Sequence, residues 1–141
     1  MGKSLFCARY TLEHPEFLYC SIDNYRIEYG DESDAWSILA EDVWKSKDII
    51  LESCGVNWRL GTILYWHEEE TVKIALIASK EELIKRLENR HHKRPLPYGF
   101  EDHDEFTLIE YTLEHLNWDI QDLIIDTEKY TEDEQYKILC N

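Results

Sequence analysis

The sequence predicts an α+β fold: an antiparallel sheet of about five strands, helices packed on one face, and a mainly helical C-terminal third. Three observations lead there. Stretches rich in β-branched and aromatic residues dominate the first half, at 4–12, 17–22, 25–29, 58–66 and 72–78. Helical apolar spacing governs 32–45 and most of the chain after Ser79. Two Ser/Thr-x-x-Glu capping boxes, Ser79 with Glu82 and Thr131 with Glu134, mark helix starts in the second half. At 141 residues, 1–141 reads as a single globular domain. A chain of this length buries roughly 68% of the surface its unfolded form exposes, enough for one core.

Taken in order, 4–12 alternates with Phe6, Ala8, Tyr10 and Leu12 on one face, and Pro15 closes it. Two more strands at 17–22 and 25–29 flank a turn at Asp23-Asn24, the second alternating Tyr25, Ile27 and Tyr29 with Arg26 and Glu28. Gly30 ends that run, and Asp31 or Ser33 can cap the helix over 32–45, where Trp36, Leu39, Ala40 and Val43 recur at i, i+3, i+4 and i+7. A second helical piece over 47–54 carries Ile49, Ile50 and Leu51 and stops at Gly55. The runs 58–66 and 72–78 flank the polar turn 67–70 and read as a central β-hairpin. A helix from Ser79 to about His92 buries Leu83, Ile84 and Leu87, with 93–101 as a loop. The helix 103–117, capped by Asp102, sets Phe106, Ile109, Leu113 and Leu116 on one side. For 118–126, a helix segregates Asp119, Asp122 and Asp126 from Ile120, Leu123 and Ile124 more cleanly than a strand does. A last helix follows Thr131.

Charge is distributed unevenly. Residues 101–141 hold 13 acids against Lys129 and Lys137, so this third carries −11 of the chain's −15. Apolar and aromatic residues run through it, including Phe106, Tyr111, Trp118, Ile125 and Tyr136. Disordered acidic tails lack such residues, so this is a folded surface that concentrates negative charge. Phosphates are repelled by it, which argues against direct nucleic-acid binding, whereas a basic protein is attracted. No run reaches the 18 or so apolar residues of a membrane span. Arg9, Glu13, His14 and Glu16 break up any secretory signal. Cys7, Cys20, Cys54 and Cys140 form no C-x-x-C pair, and reduced thiols in a cytoplasm are expected.

Chemistry-bearing patterns are sparse. His67 lacks the second histidine of an H-E-x-x-H zinc motif. Glu88 and His91 have the i, i+3 spacing of carboxylate-bridged metal sites, but the second copy such sites need is missing. His103, between Asp102 and Asp104, has no nucleophile near it in sequence. No G-x-S-x-G elbow, phosphate loop or dinucleotide fingerprint occurs. No metal or cofactor is expected. Lys85, Arg86, Arg90, His91, His92, Lys93 and Arg94 form the one basic cluster, without interleaved aromatics, and read as a solvated helix end. Tyr-Thr-Leu-Glu-His occurs at 10–14 and at 111–115, first in an expected strand and then in a helix, which reads as coincidence.

The outer face of the 103–117 helix is more informative. It carries Asp104, Tyr111, Glu114 and His115 with Leu108 at its edge, an aromatic among acids as in a binding hot spot. Together with Asp119, Asp122 and Asp126 these residues form the expected partner surface. The expected function is inhibition by occlusion. An immunity protein neutralising a basic toxin, plausibly a nuclease, fits first; a phage-type nucleic-acid mimic is the second reading, and a small enzyme with an unrecognised site the third. A monomer or weak dimer is expected.

Overall fold

The computed structural model describes residues 2–55, 57–89 and 105–140. In chain order the elements are α1 (Lys3–Glu13), β1 (Leu18–Ser21), α2 (Ile22–Tyr29), α3 (Glu32–Lys45), β2 (Ile49–Glu52), α4 (Trp58–Trp66), β3 (Ile74–Ile77), α5 (Lys80–Glu88), α6 (Glu105–His115), β4 (Leu123–Asp126) and α7 (Glu132–Cys140). Short 3₁₀ turns occupy Glu68–Glu70 and Trp118–Ile120.

The fold is α+β, but the expected antiparallel five-stranded sheet is not formed. The described strands make two separate parallel pairs, β1 with β2 and β3 with β4. Leu18 lies opposite Ile49, and Ile74 opposite Leu123. Parallel strands cannot be joined by a tight hairpin and need a long crossover. Helices α2 and α3 supply it in the first pair, and α5 and α6 lie between the strands of the second.

Three expected strands are helices, each for a local reason. In 4–12 the apparent alternation is misleading: Leu12 is 84% exposed while Cys7, from the opposite set, is 5% exposed. The helical i, i+4 neighbours Phe6 and Tyr10 meet instead, with ring centroids 5.7 Å apart. In 25–29, Tyr25 and Tyr29 likewise pair at 6.1 Å. Gly30, at φ 74°, is the left-handed residue after α2, its N–H bonded to Arg26 O. In 58–66, Asn57 caps α4 by accepting from Arg59 N at 2.8 Å. Conversely, the helices expected at 47–54 and 118–126 contain strands β2 and β4, whose Ile-rich runs suit a buried parallel pair. The carboxylates Asp119, Asp122 and Asp126 therefore do not share a helix face.

Other boundaries agree. Helix α3 spans 32–45, and Asp31 accepts from Asp34 N at 2.9 Å. Both N-caps form: Ser79 Oγ and Thr131 Oγ1 each accept, at 3.2 Å, from the amide three residues on, although the Ser79 amide is taken by Glu128 rather than by Glu82. Strands β1 and β3 fall inside 17–22 and 72–78.

The main core gathers Cys20, Ile22, Ala35, Trp36, Leu39 and Leu60, with Tyr25, Val43, Ile49, Leu51, Ile63 and Leu64 around it. Next to it Arg26, almost fully buried, pairs with Glu32 through two hydrogen bonds at 2.7 and 2.8 Å and with Asp23 at 3.0 Å. Buried Glu52 accepts from Ser4 Oγ at 2.8 Å and Tyr19 OH at 2.7 Å, which ties α1 to the β1–β2 pair. Helix α7 returns to α1: Tyr136 OH donates to Glu13, and the Arg9 guanidinium lies 3.8 Å from the Tyr136 ring centroid.

Candidate interaction surface

The residues expected at a partner surface are divided between two places. Leu108, Tyr111, Glu114 and His115 all lie on α6, with Leu108 half-buried and the other three exposed. Asp104 lies outside the described residues. The Tyr111 ring is not bare: it stacks on His115 with centroids 4.1 Å apart, and His115 Nδ1 sits 2.9 Å from Tyr111 O. Asp119 is exposed on the Trp118–Ile120 turn.

Asp122 and Asp126 hold the two ends of β4. Asp122 accepts from Lys73 N at 2.7 Å and donates its own amide to Lys73 O at 2.8 Å, fastening the start of β4 to the start of β3. Asp126 accepts from Glu128 N at 2.9 Å, and Glu128 in turn accepts from Ser79 N and Ser79 Oγ at 2.7 and 3.1 Å. Part of the acidity of this third thus holds the second strand pair together.

A second surface was not foreseen, and it lies on α4. At 100° per residue, Leu60, Ile63 and Leu64 point one way and pack on the core. Trp58, Thr62, Tyr65 and Trp66 fall within an opposite arc of about 100°. The three aromatics of that arc are 64–73% exposed. Trp44, from the last turn of α3, is similarly exposed, its ring 4.9 Å from His67 just after α4. Glu68, Glu69 and Glu70 follow, all exposed. The loop leading into α4 approaches the residue just after α6: a Cβ on Gly55 would stand 2.8 Å from Leu116 Cδ1.

A helix that is apolar on both faces is normally buried on both. Here one face is covered and the other presents large aromatics to solvent, a composition enriched at protein contacts. The available signal was helical spacing of apolar residues in two opposed sets. Read with a period of two, the same residues make a central strand.

Several buried acidic groups are held in their protonated forms. Burial, assisted by nearby Glu52, pushes the Cys7 thiol up to about 12, away from the thiolate form a nucleophile needs. Hydroxyls of Tyr19 and Tyr25 are held protonated, first by burial and then by the carboxylates of Glu52 and Asp42 they donate to. His14, His67 and His115 each lie against an aromatic ring, of Tyr10, Trp44 and Tyr111. His91, His92 and His103, and so the Glu88–His91 spacing, lie outside the described residues. No group of three or more His, Cys, Asp or Glu suited to a metal occurs among the described residues. Nor is any described helix long and apolar enough to cross a membrane.

The repeated pentapeptide, expected in a strand and then in a helix, closes a helix in both copies, α1 and α6; β1 follows α1, whereas a 3₁₀ turn comes between α6 and β4. In each the histidine stacks on the tyrosine one turn earlier, at 4.4 Å for Tyr10–His14 and 4.1 Å for Tyr111–His115. Compared with family models, curated proteins and solved structures, the chain matches none.

Proposed function

We propose that this protein is a cytoplasmic inhibitor that acts by covering a basic protein partner, in the manner of an immunity protein bound to its toxin. The observation that carries this reading is the folded state of the acidic third. Ile125, Gln135 and Tyr136 are buried there, while Glu110, Glu114, Asp119, Glu132, Asp133 and Glu134 are exposed. Carboxylates held outward on ordered elements form a fixed negative field, which steers a cationic partner and raises its association rate. A nuclease must be basic where it holds phosphates, so a nuclease toxin is the natural counterpart.

The test is genetic and physical together. The chain is co-expressed with the product of the adjacent reading frame, and growth is scored. Binding of the two purified proteins is then followed at low and high salt. Rescue of growth with salt-sensitive association supports an immunity role. A neighbour that is harmless and does not bind refutes that role.

A further inference from the structure

We infer that the outward face of α4, with Trp44 and the Glu68–Glu70 turn, is the anchor on which an arginine-rich segment of the partner docks. This rests on the reading that the partner is basic, and it says where and by which chemistry that partner is gripped. Trp58, Tyr65 and Trp66 present exposed rings, Tyr65 and Trp66 meeting edge to face at 5.7 Å, while Leu60, Ile63 and Leu64 hold the helix to the core from behind. Substituting these aromatics removes nothing that the core uses.

Charge selects the occupant. Three consecutive exposed carboxylates follow the C-terminal end of α4, where the helix dipole is also negative. A second copy would bring the same acids face to face on a chain of net charge −15. Anionic lipid or nucleic acid meets the same repulsion. A guanidinium suits both halves of the surface, because its plane stacks on aromatic rings and its N–H groups pair with carboxylates. The molecule already makes this contact within itself: the Arg59 guanidinium lies 4.8 Å from the Trp58 ring centroid. With Arg59 at the Trp58 ring, an incoming arginine has the exposed rings of Tyr65 and Trp66, nearest the three carboxylates in sequence, to stack on.

The test uses two fluorescein-labelled nonapeptides, one all arginine and one all lysine, titrated by anisotropy at low and physiological salt. Wild type should bind the arginine peptide several-fold more tightly, the preference persisting at physiological salt. Trp58→Ser/Tyr65→Ser/Trp66→Ser should weaken the arginine peptide about tenfold and abolish the preference. Glu68→Gln/Glu69→Gln/Glu70→Gln, a charge change that leaves the aromatics in place, should weaken both peptides and keep the preference. Glu114→Gln/Asp119→Asn/Glu132→Gln, an equal charge change elsewhere, should weaken both peptides less than that. Wild type that binds neither peptide refutes the basic-partner reading itself. Wild type that binds both alike, an aromatic triple that keeps the preference, or equal losses from the two charge triples refutes the α4 anchor alone. A wild-type dimer that the aromatic triple splits into monomers also overturns it, in favour of a contact between copies.

Discussion

Separating Arg26 from Glu32 should destabilise the fold more than any surface substitution, and the two changes should be strongly non-additive. The side chains are 7% and 11% exposed and joined by hydrogen bonds of 2.7 and 2.8 Å. Glu32 also accepts from Trp36 Nε1 at 2.8 Å, which links the pair to the core tryptophan. Arg26→Met leaves a buried carboxylate with only the indole N–H, and a cost of about 3 kcal/mol is expected from an uncompensated buried charge. Glu32→Gln should cost less, about 2 kcal/mol, because Asp23 still faces Arg26 at 3.0 Å. Combined, the changes leave no charge at position 32; of the groups that faced Arg26 only the more exposed Asp23 stays ionised, and the side-chain amide introduced by Glu32→Gln can still accept from Trp36. The double variant should therefore lose only about 2 kcal/mol, a coupling of roughly 3 kcal/mol. Urea denaturation reads this directly: at about 1–3 kcal/mol per molar, Arg26→Met moves the midpoint down by about 1–3 M. Singles that add to within about 0.5 kcal/mol would falsify the claim that the pair acts as one buried unit.

The same pair sets an acid limb. Burial disfavours the charged form of Glu32, but hydrogen bonds from Arg26 and Trp36, with the Arg26 charge, outweigh it and hold the group below its ordinary 4.5. A depressed folded pKa contributes stability that is fully present above about pH 4.5 and is lost as pH falls through the folded value. Stability should thus fall on acidification below that pH, and Arg26→Met should flatten this limb.

Three further outcomes follow from single contacts. Gly55→Ala should cost about 1–2 kcal/mol and Gly30→Ala about 1, since both have positive φ but only the first must displace the end of the Leu116 side chain; equal losses in thermal denaturation would show that Leu116 yields without cost. Asp122→Ala should cost about 1 kcal/mol and speed hydrogen exchange at the Lys73 amide, whereas Asp122→Asn, which still accepts, should do less; an unchanged exchange rate at Lys73 contradicts the clamp. Ellman's reagent should modify exposed Cys140 quickly and buried Cys7 and Cys20 only on unfolding; rapid labelling of Cys7 in the native protein would contradict its raised pKa and burial.

Elements with a side-chain start signal were legible in the sequence. Asp31, Ser79 and Thr131 each bond the amide expected of a cap, and the helices behind them begin where those residues place them. Elements judged by apolar alternation alone were not. Over nine residues, Phe6, Ala8, Tyr10 and Leu12 satisfy a period of two, while Phe6, Tyr10 and His14 satisfy a helical turn, and sequence alone does not weigh one against the other. The cue that decides 58–66 was present in Asn57, but Asn caps and Asn turns look alike until the chain direction is known. The parallel pairing was less legible still. Four-residue strands such as Ile49–Glu52 and Leu123–Asp126 are too short to display a pattern, and their partners lie 31 and 49 positions away.

For the surface, net charge was readable but its division of labour was not. Glu114 and Asp119 face solvent as expected, while Asp122, Asp126 and Glu128 spend their oxygens on backbone and side-chain donors around β3 and β4. A carboxylate already bonded to an amide still contributes to the long-range field, but it cannot turn freely toward a partner. On the proposed reading, steering and gripping separate in space: the acidic third provides the field, and the large exposed rings of Trp44, Trp58, Tyr65 and Trp66 provide apolar area for a long-lived contact. Charge acts at a distance and is seen by counting residues. An anchor requires knowing which side of a helix is already covered, and for α4 that became visible only once Leu60, Ile63 and Leu64 were found in the core.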